Sequence, residues 1–155
     1  MLPSLPSSRA GWPSGLAALL LLGLLGLQGQ LATSSLPPPE VGPSGLLLHH
    51  ASAAQTEALS AGLRSGVRIE AASAIESTRH DQAWYVGARV RGVGPSEQVA
   101  VWLVTGPKTH PDLLYAVGRA AQAASVWPAG SERGASASPA DPEALALFSA
   151  LQAEQ

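Results

Sequence analysis

The chain has 155 residues, 46% of them hydrophobic and 13% charged, with a net charge of −2. So weak and slightly acidic a field offers no basic patch for phosphate backbones, which excludes nucleic acid as a partner. With no cysteine there is no disulfide framework, thiol chemistry or thiolate metal site, so a folded domain here must be held by its core alone.

The first element is an apolar block. Leu16 to Leu27 make 12 consecutive residues without a charge or a strongly polar side chain. A bilayer span needs about 17–25 apolar residues and a signal-peptide core about 7–15, so the block has the length of an export signal. Arg9 precedes it, the first charge after it is Glu40, and the first positive charge after it is Arg64. That asymmetry keeps the amino end in the cytoplasm and sends the rest across. Ala32-Thr33-Ser34 puts small residues at the −3 and −1 positions of a cut after Ser34. Counting on through Ala32 gives 17 residues, which makes an uncleaved anchor the alternative. Residues 1–34 are therefore read as a signal peptide or signal anchor. The membrane is a partner at least during export, and the remainder is extracytoplasmic. Residues 35–45 form a Pro-rich linker, stiffened toward polyproline II. Residues 46–155 suffice for one small domain with one core.

Residues 46–65 read as a helix, with Leu47, Leu48, Ala51, Ala54, Ala58, Leu59 and Leu63 at helical spacing. Ser44 is placed to cap its start and Gly66 to end it. Residues 67–77 switch to period two. Val67, Ile69, Ala71, Ser73 and Ile75 share one side, and Arg68, Glu70, Ala72, Ala74 and Glu76 the other. Residues 78–82 are a polar turn. A second strand over 84–91 points Trp84, Val86, Ala88 and Val90 to the core and Tyr85, Arg89 and Arg91 outward. Gly92 to Ser96 make a hairpin loop. Residues 99–105 are apolar on both sides, as a central strand covered on both faces would be. For residues 113–125 two readings stay open: a fourth strand followed by a short helix, or a single helix. Residues 129–140 read as a flexible Ser/Ala/Gly loop. Asp141-Pro142-Glu143 is a helix start, with an N-cap acid, proline at the first position and an acid in the first turn.

No catalytic constellation, metal site or cofactor is expected. His49 and His50, adjacent on the expected helix, point about 100° apart and cannot share a metal. No Gly-x-Ser-x-Gly elbow is present. Glu70 and Glu76 lie about 20 Å apart by strand rise, too far for paired-carboxylate chemistry. Gly92-Val93-Gly94 lacks the following helix that a phosphate loop requires. The aromatic set Trp84, Tyr85, Trp102, Tyr115 and Trp127 reads first as core and cross-strand packing. The alternative is an interaction surface, in which Tyr85 or Trp102, on the face opposite the first helix, lines a groove beside the outward arginines Arg68, Arg89 and Arg91 and favours an anionic partner.

The runs Trp84 to Val90, Val99 to Thr105, Leu114 to Val117 and Ala124 to Pro128 resemble a group of membrane-anchored actinobacterial proteins of unknown function. The group joins an N-terminal hydrophobic segment, a low-complexity linker and a small extracytoplasmic domain. The resemblance spans roughly residues 50–130 and carries over no catalytic residue. It implies a retained anchor, and it supports the fourth strand. This chain departs from the group at Gly118-Arg119, where an acid is usual.

The expected fold is α+β: a helix, a four-stranded antiparallel meander, a short helix, and a C-terminal helix packed on one sheet face. Cystatin-like and NTF2-like cones share that order, an analogy that licenses no function. The expected function is a non-enzymatic envelope interaction domain contacting another envelope protein. The alternatives are a small-ligand binding module with a pocket between sheet and helix, or a hydrolase.

Overall fold

A computed structural model describes residues 40–41, 45–131 and 134–154. The targeting segment 1–34 and most of the linker 35–45 lie outside the described residues. Among those that are described, no helix is long and apolar enough to cross a membrane.

The fold is α+β. Its elements in chain order are β1 (Glu40–Val41), β2 (Leu47–His50), α1 (Ala53–Ala61), β3 (Arg68–Glu76), β4 (Ala83–Arg91), β5 (Gln98–Thr105), β6 (Leu114–Val117), α2 (Arg119–Ala124) and α3 (Pro142–Ala153). Strands β2 to β6 form an antiparallel meander, each paired with the next in sequence. Strand β1, inside the linker stretch, extends this sheet through Glu40↔Leu48 and Val41↔Leu47. The sheet thus has more strands than the four expected, and the first element of the domain is a strand rather than a helix.

That difference begins at residues 46–65. Leu47–His50 pair with β3 instead of coiling, and the helix starts only at Ala53. Ser52 is the N-cap, not Ser44. Its hydroxyl accepts from the Gln55 N–H while the Gln55 side chain accepts from the Ser52 N–H, a reciprocal capping box. The C-cap is Gly62 rather than Gly66. A Cβ at Gly62 would stand 2.2 Å from Trp127, so only glycine lets the indole cover the helix end.

Strand β3 carries a second correction. Its register to β4 shifts between Ile69 and Ala71, leaving Glu70 as the extra residue of a β-bulge. A bulge inverts which side chains face which way. Val67 and Ile69 therefore share a face with Ala72 and Ala74, while Ala71, Ser73 and Ile75 lie on the other. The uniform alternation expected for 67–77 is split in two.

Both faces of the sheet are covered, so the core has two layers. On the first face Val86, Ala88, Val90, Ala100, Trp102, Val104 and Leu114 pack against Leu59 of α1 and Ala121 and Ala124 of α2. On the second, Ile75, Tyr85, Val101, Leu103 and Val117 pack against Ala144, Ala146 and Leu147 of α3. The expected packing of α3 on one face is found, and β5 is buried on both faces as its sequence requires. Gly87 permits the close approach of α3. A Cβ there would lie 2.9 Å from Leu151 Cδ1 and 3.1 Å from Leu147 Cβ.

Residues 113–125 resolve into strand plus helix. Gly118, at φ +86°, breaks β6 from α2 in a conformation that favours glycine. The 129–140 segment is tied down at several described residues. Ala129 bridges Ala116, the Gly130 N–H donates to the Ala116 carbonyl, and Ala137 is buried.

Candidate functional site

The expected interaction surface does not form as one patch. Tyr85 and Trp102 are both 0% exposed, and they lie on opposite faces of the sheet. Trp102 sits on the α1 face, where its indole N–H donates to Ser125 Oγ at 3.0 Å. The Ser125 hydroxyl in turn donates to the Ala121 carbonyl. Tyr85 sits under the start of α3. Neither ring lines a groove, because the helices that cover the two faces claim them for the core.

The three arginines do gather, on the α3 face at the end where β3 begins and β4 finishes. Arg68 and Arg91 are cross-strand partners. Like charges so placed repel, and glutamates relieve them. Arg91 pairs with Glu97 at 3.4 Å and with Glu70 at 3.7 Å, and Arg89 pairs with Glu97 at 3.3 Å. The Arg89 guanidinium also donates to the Glu154 carbonyl. Two of the three arginines are thus already matched to acids.

The opposite end of the same hairpin holds a different arrangement. There the β3–β4 turn meets the start of α3. Asp141 is the α3 N-cap residue, yet its side chain does not cap the helix. It is buried and turns to the sheet instead. The Tyr85 hydroxyl donates to Asp141 Oδ2 at 2.5 Å, the Ser138 N–H donates to the same oxygen at 2.7 Å, and Arg79 forms an ion pair with Oδ1. Two residues further, Glu143 is fully buried and accepts from both the N–H and the hydroxyl of Thr78, each at 2.7 Å. Burial pushes the Glu143 carboxyl up. The two Thr78 hydrogen bonds and the nearby Arg79 charge outweigh that and hold it below the usual range. Burial, with the Glu143 charge, pushes the Tyr85 phenol up against the opposing pull of Arg79.

This network fixes one wall of a cleft of about 480 Å³. Buried Ala83 and Leu103 contribute its apolar lining, and Arg79, His80, Asp81, Thr105 and Tyr115 its polar lining, with Gly134 and Ala135 closing one side. The Arg79 side chain is 51% exposed although its partner Asp141 is only 7% exposed. One edge of the guanidinium is therefore locked while the rest reaches solvent. His80 Nε2 is buried without a hydrogen-bond partner among the described residues.

A third cluster lies on the α1 face. Lys108 Nζ stands 4.4 Å over the Trp84 ring, and His49 meets the same ring edge-on at 5.9 Å. The Ser52 hydroxyl donates to the Lys108 carbonyl, tying this loop to the cap of α1. Burial lowers the Lys108 pKa, and burial together with Lys108 lowers that of His49. Trp84 is thereby occupied by the chain's own cation. His49 and His50 are on a strand, not a helix, and so point to opposite faces. Among the described residues no group of three or more His, Cys, Asp or Glu is placed to hold a metal.

Sequence reasoning did not bring Arg79, His80, Thr105 and Tyr115 together, because they come from a turn, a strand end and an edge strand that only the meander makes neighbours. One signal was present: Asp141-Pro142-Glu143 marks a helix start, and such an acid is also free to look elsewhere. No known protein family, characterised protein or solved structure was found to match this chain.

Proposed function

We propose that this chain is an exported or membrane-tethered recognition domain, non-enzymatic, which engages an envelope partner through the Arg79–Tyr115 cleft. The observation that carries the reading is the half-exposed Arg79, held by a buried acid that is itself held by Tyr85 and Ser138. A side chain fixed from behind loses little conformational freedom on binding, which is what a recognition site needs. Arg89 and Arg91 at the other end are matched to glutamates and have less to offer a partner. The extracytoplasmic side follows from the apolar block, the charge asymmetry and the small-residue cut site. The architecture of the membrane-anchored actinobacterial group supports the same topology. Because the cleft has the volume of a small-molecule site, a ligand-binding module is the second reading.

The test has two parts. Mass spectrometry of the mature amino terminus with membrane fractionation fixes the topology: a start at Ser35 in the soluble fraction means release, and an intact start in the membrane fraction means an anchor. Recovery from the cytosol with an intact amino terminus would defeat the export reading. A photo-crosslinking side chain at position 81, on the rim of the cleft, should then give discrete adducts in cells. One at Val126, which is 65% exposed but outside the cleft, should not. Equal labelling at the two positions would remove the cleft from the proposal.

A further inference from the structure

We infer that the cleft takes a carboxylate carried on a small apolar body. This rests on the reading of the cleft as the recognition surface and names the chemistry recognised there. The polar lining is dominated by hydrogen-bond donors. Arg79 presents a guanidinium, whose planar fork matches a carboxylate. The imidazole of His80 lines the same space. Tyr115 lines the same space with a hydroxyl that makes no hydrogen bond among the described residues. Thr105 Oγ1 accepts from the Leu113 N–H, which leaves its own hydrogen to donate. Asp81 is the one acid lining the cleft among the described residues, and it is exposed in the turn.

The charge and the apolar lining narrow the class. Arg79 already shares its charge with Asp141, so the site suits a single negative charge better than a phosphate dianion. Ala135 and the Tyr115 ring, both only partly buried, present apolar surface to the cleft above the buried Ala83 and Leu103. They have no use for an inorganic ion but can cover a small hydrocarbon group. A volume of about 480 Å³ lies within the range of small-ligand sites. The same chemistry is found in a free aliphatic acid and in the apolar carboxyl terminus of a partner chain.

The test is calorimetric titration of the full chain, purified from the fraction in which it resides, with N-acetyl-leucine and with its primary amide. The acid should bind saturably and about tenfold more tightly than the amide, the ratio that one charge-assisted pair supplies. Asp81→Asn, which removes the one lining acid among the described residues, should tighten the acid a few-fold and leave the amide unchanged. Tyr115→Phe should weaken the acid while the thermal midpoint stays in place. Equal affinities for acid and amide, no saturable binding, or no response to Asp81→Asn would each overturn the inference. An isovalerate titration separates the sources: tighter isovalerate identifies a free acid, tighter N-acetyl-leucine a chain terminus, and either supports the carboxylate. Crosslinks at position 81 with equal acid and amide binding would defeat this inference alone. An acid preference without crosslinks would defeat the partner reading alone.

Discussion

The two ends of the β3–β4 hairpin use the same residue types to different effect. At one end Arg89 and Arg91, with Arg68 beside them, pair with Glu70 and Glu97, the Arg91 side chain being 66% exposed. Solvent screens such pairs, and holding two long side chains together costs entropy, so each contributes little. At the other end Arg79, Asp141, Tyr85, Thr78 and Glu143 form a network whose acids are buried beneath the first turn of α3. There each group satisfies another that would otherwise be desolvated and unpaired. The charges at the first end suit solubility. Those at the second anchor a helix and shape a cleft.

The largest test of this contrast is Asp141→Ala. It strands the Tyr85 hydroxyl, the Ser138 N–H and the inner edge of Arg79, and should cost about 3 kcal/mol in urea unfolding. A loss below about 1 kcal/mol would put the two ends on the same footing. Next is Tyr85→Phe, which keeps the ring and removes one donor. It should cost about 1–2 kcal/mol, measured the same way. If Asp141 finds water in its place, the loss will fall to the bottom of that range.

A smaller effect, confined to acid, comes from Glu143. Its folded-state pKa is lowered, so the folded form favours the carboxylate. The stabilisation is complete above the ordinary glutamate range and is lost as pH falls through the lowered folded value. Urea midpoints followed downward from neutral pH should drop more steeply for the parent chain than for Glu143→Gln. Parallel curves would show that Thr78 does not favour the charged form. The smallest effect belongs to the other end: Arg91→Ala should change stability by about 0.5 kcal/mol or less, and salt should abolish the difference.

Much of the sheet was legible along the chain. Strands β4 and β5 follow from their apolar alternation and their turns, and α3 from Asp141-Pro142-Glu143. The first helix was misread because Leu47, Leu48 and Ala51 fit a 3.6 period as well as they fit a strand entering a helix. The deciding signal, Ser52-Ala53-Ala54-Gln55, was present as a capping-box pattern. It was outweighed by a run of leucines whose pairing with β3 is non-local. The bulge at Glu70 left no comparable mark, since an alternating sequence does not reveal where one residue is skipped. For the candidate site, the arginine row could be read from period two alone. The cleft could not, because Arg79, Thr105 and Tyr115 are far apart in sequence.

By itself the sequence determined the α+β class, the two-sided burial of β5 and the start of α3, because periodicity and caps act within a few residues of one another. The tertiary structure decided which elements cover the two faces of the sheet. It thereby decided that Tyr85 and Trp102 are core and that Arg79 stands half-exposed beside a cleft. Burial depends on what packs from a distance: α3 lies more than fifty residues beyond Tyr85, and only its docking takes the phenol, Asp141 and Glu143 out of water.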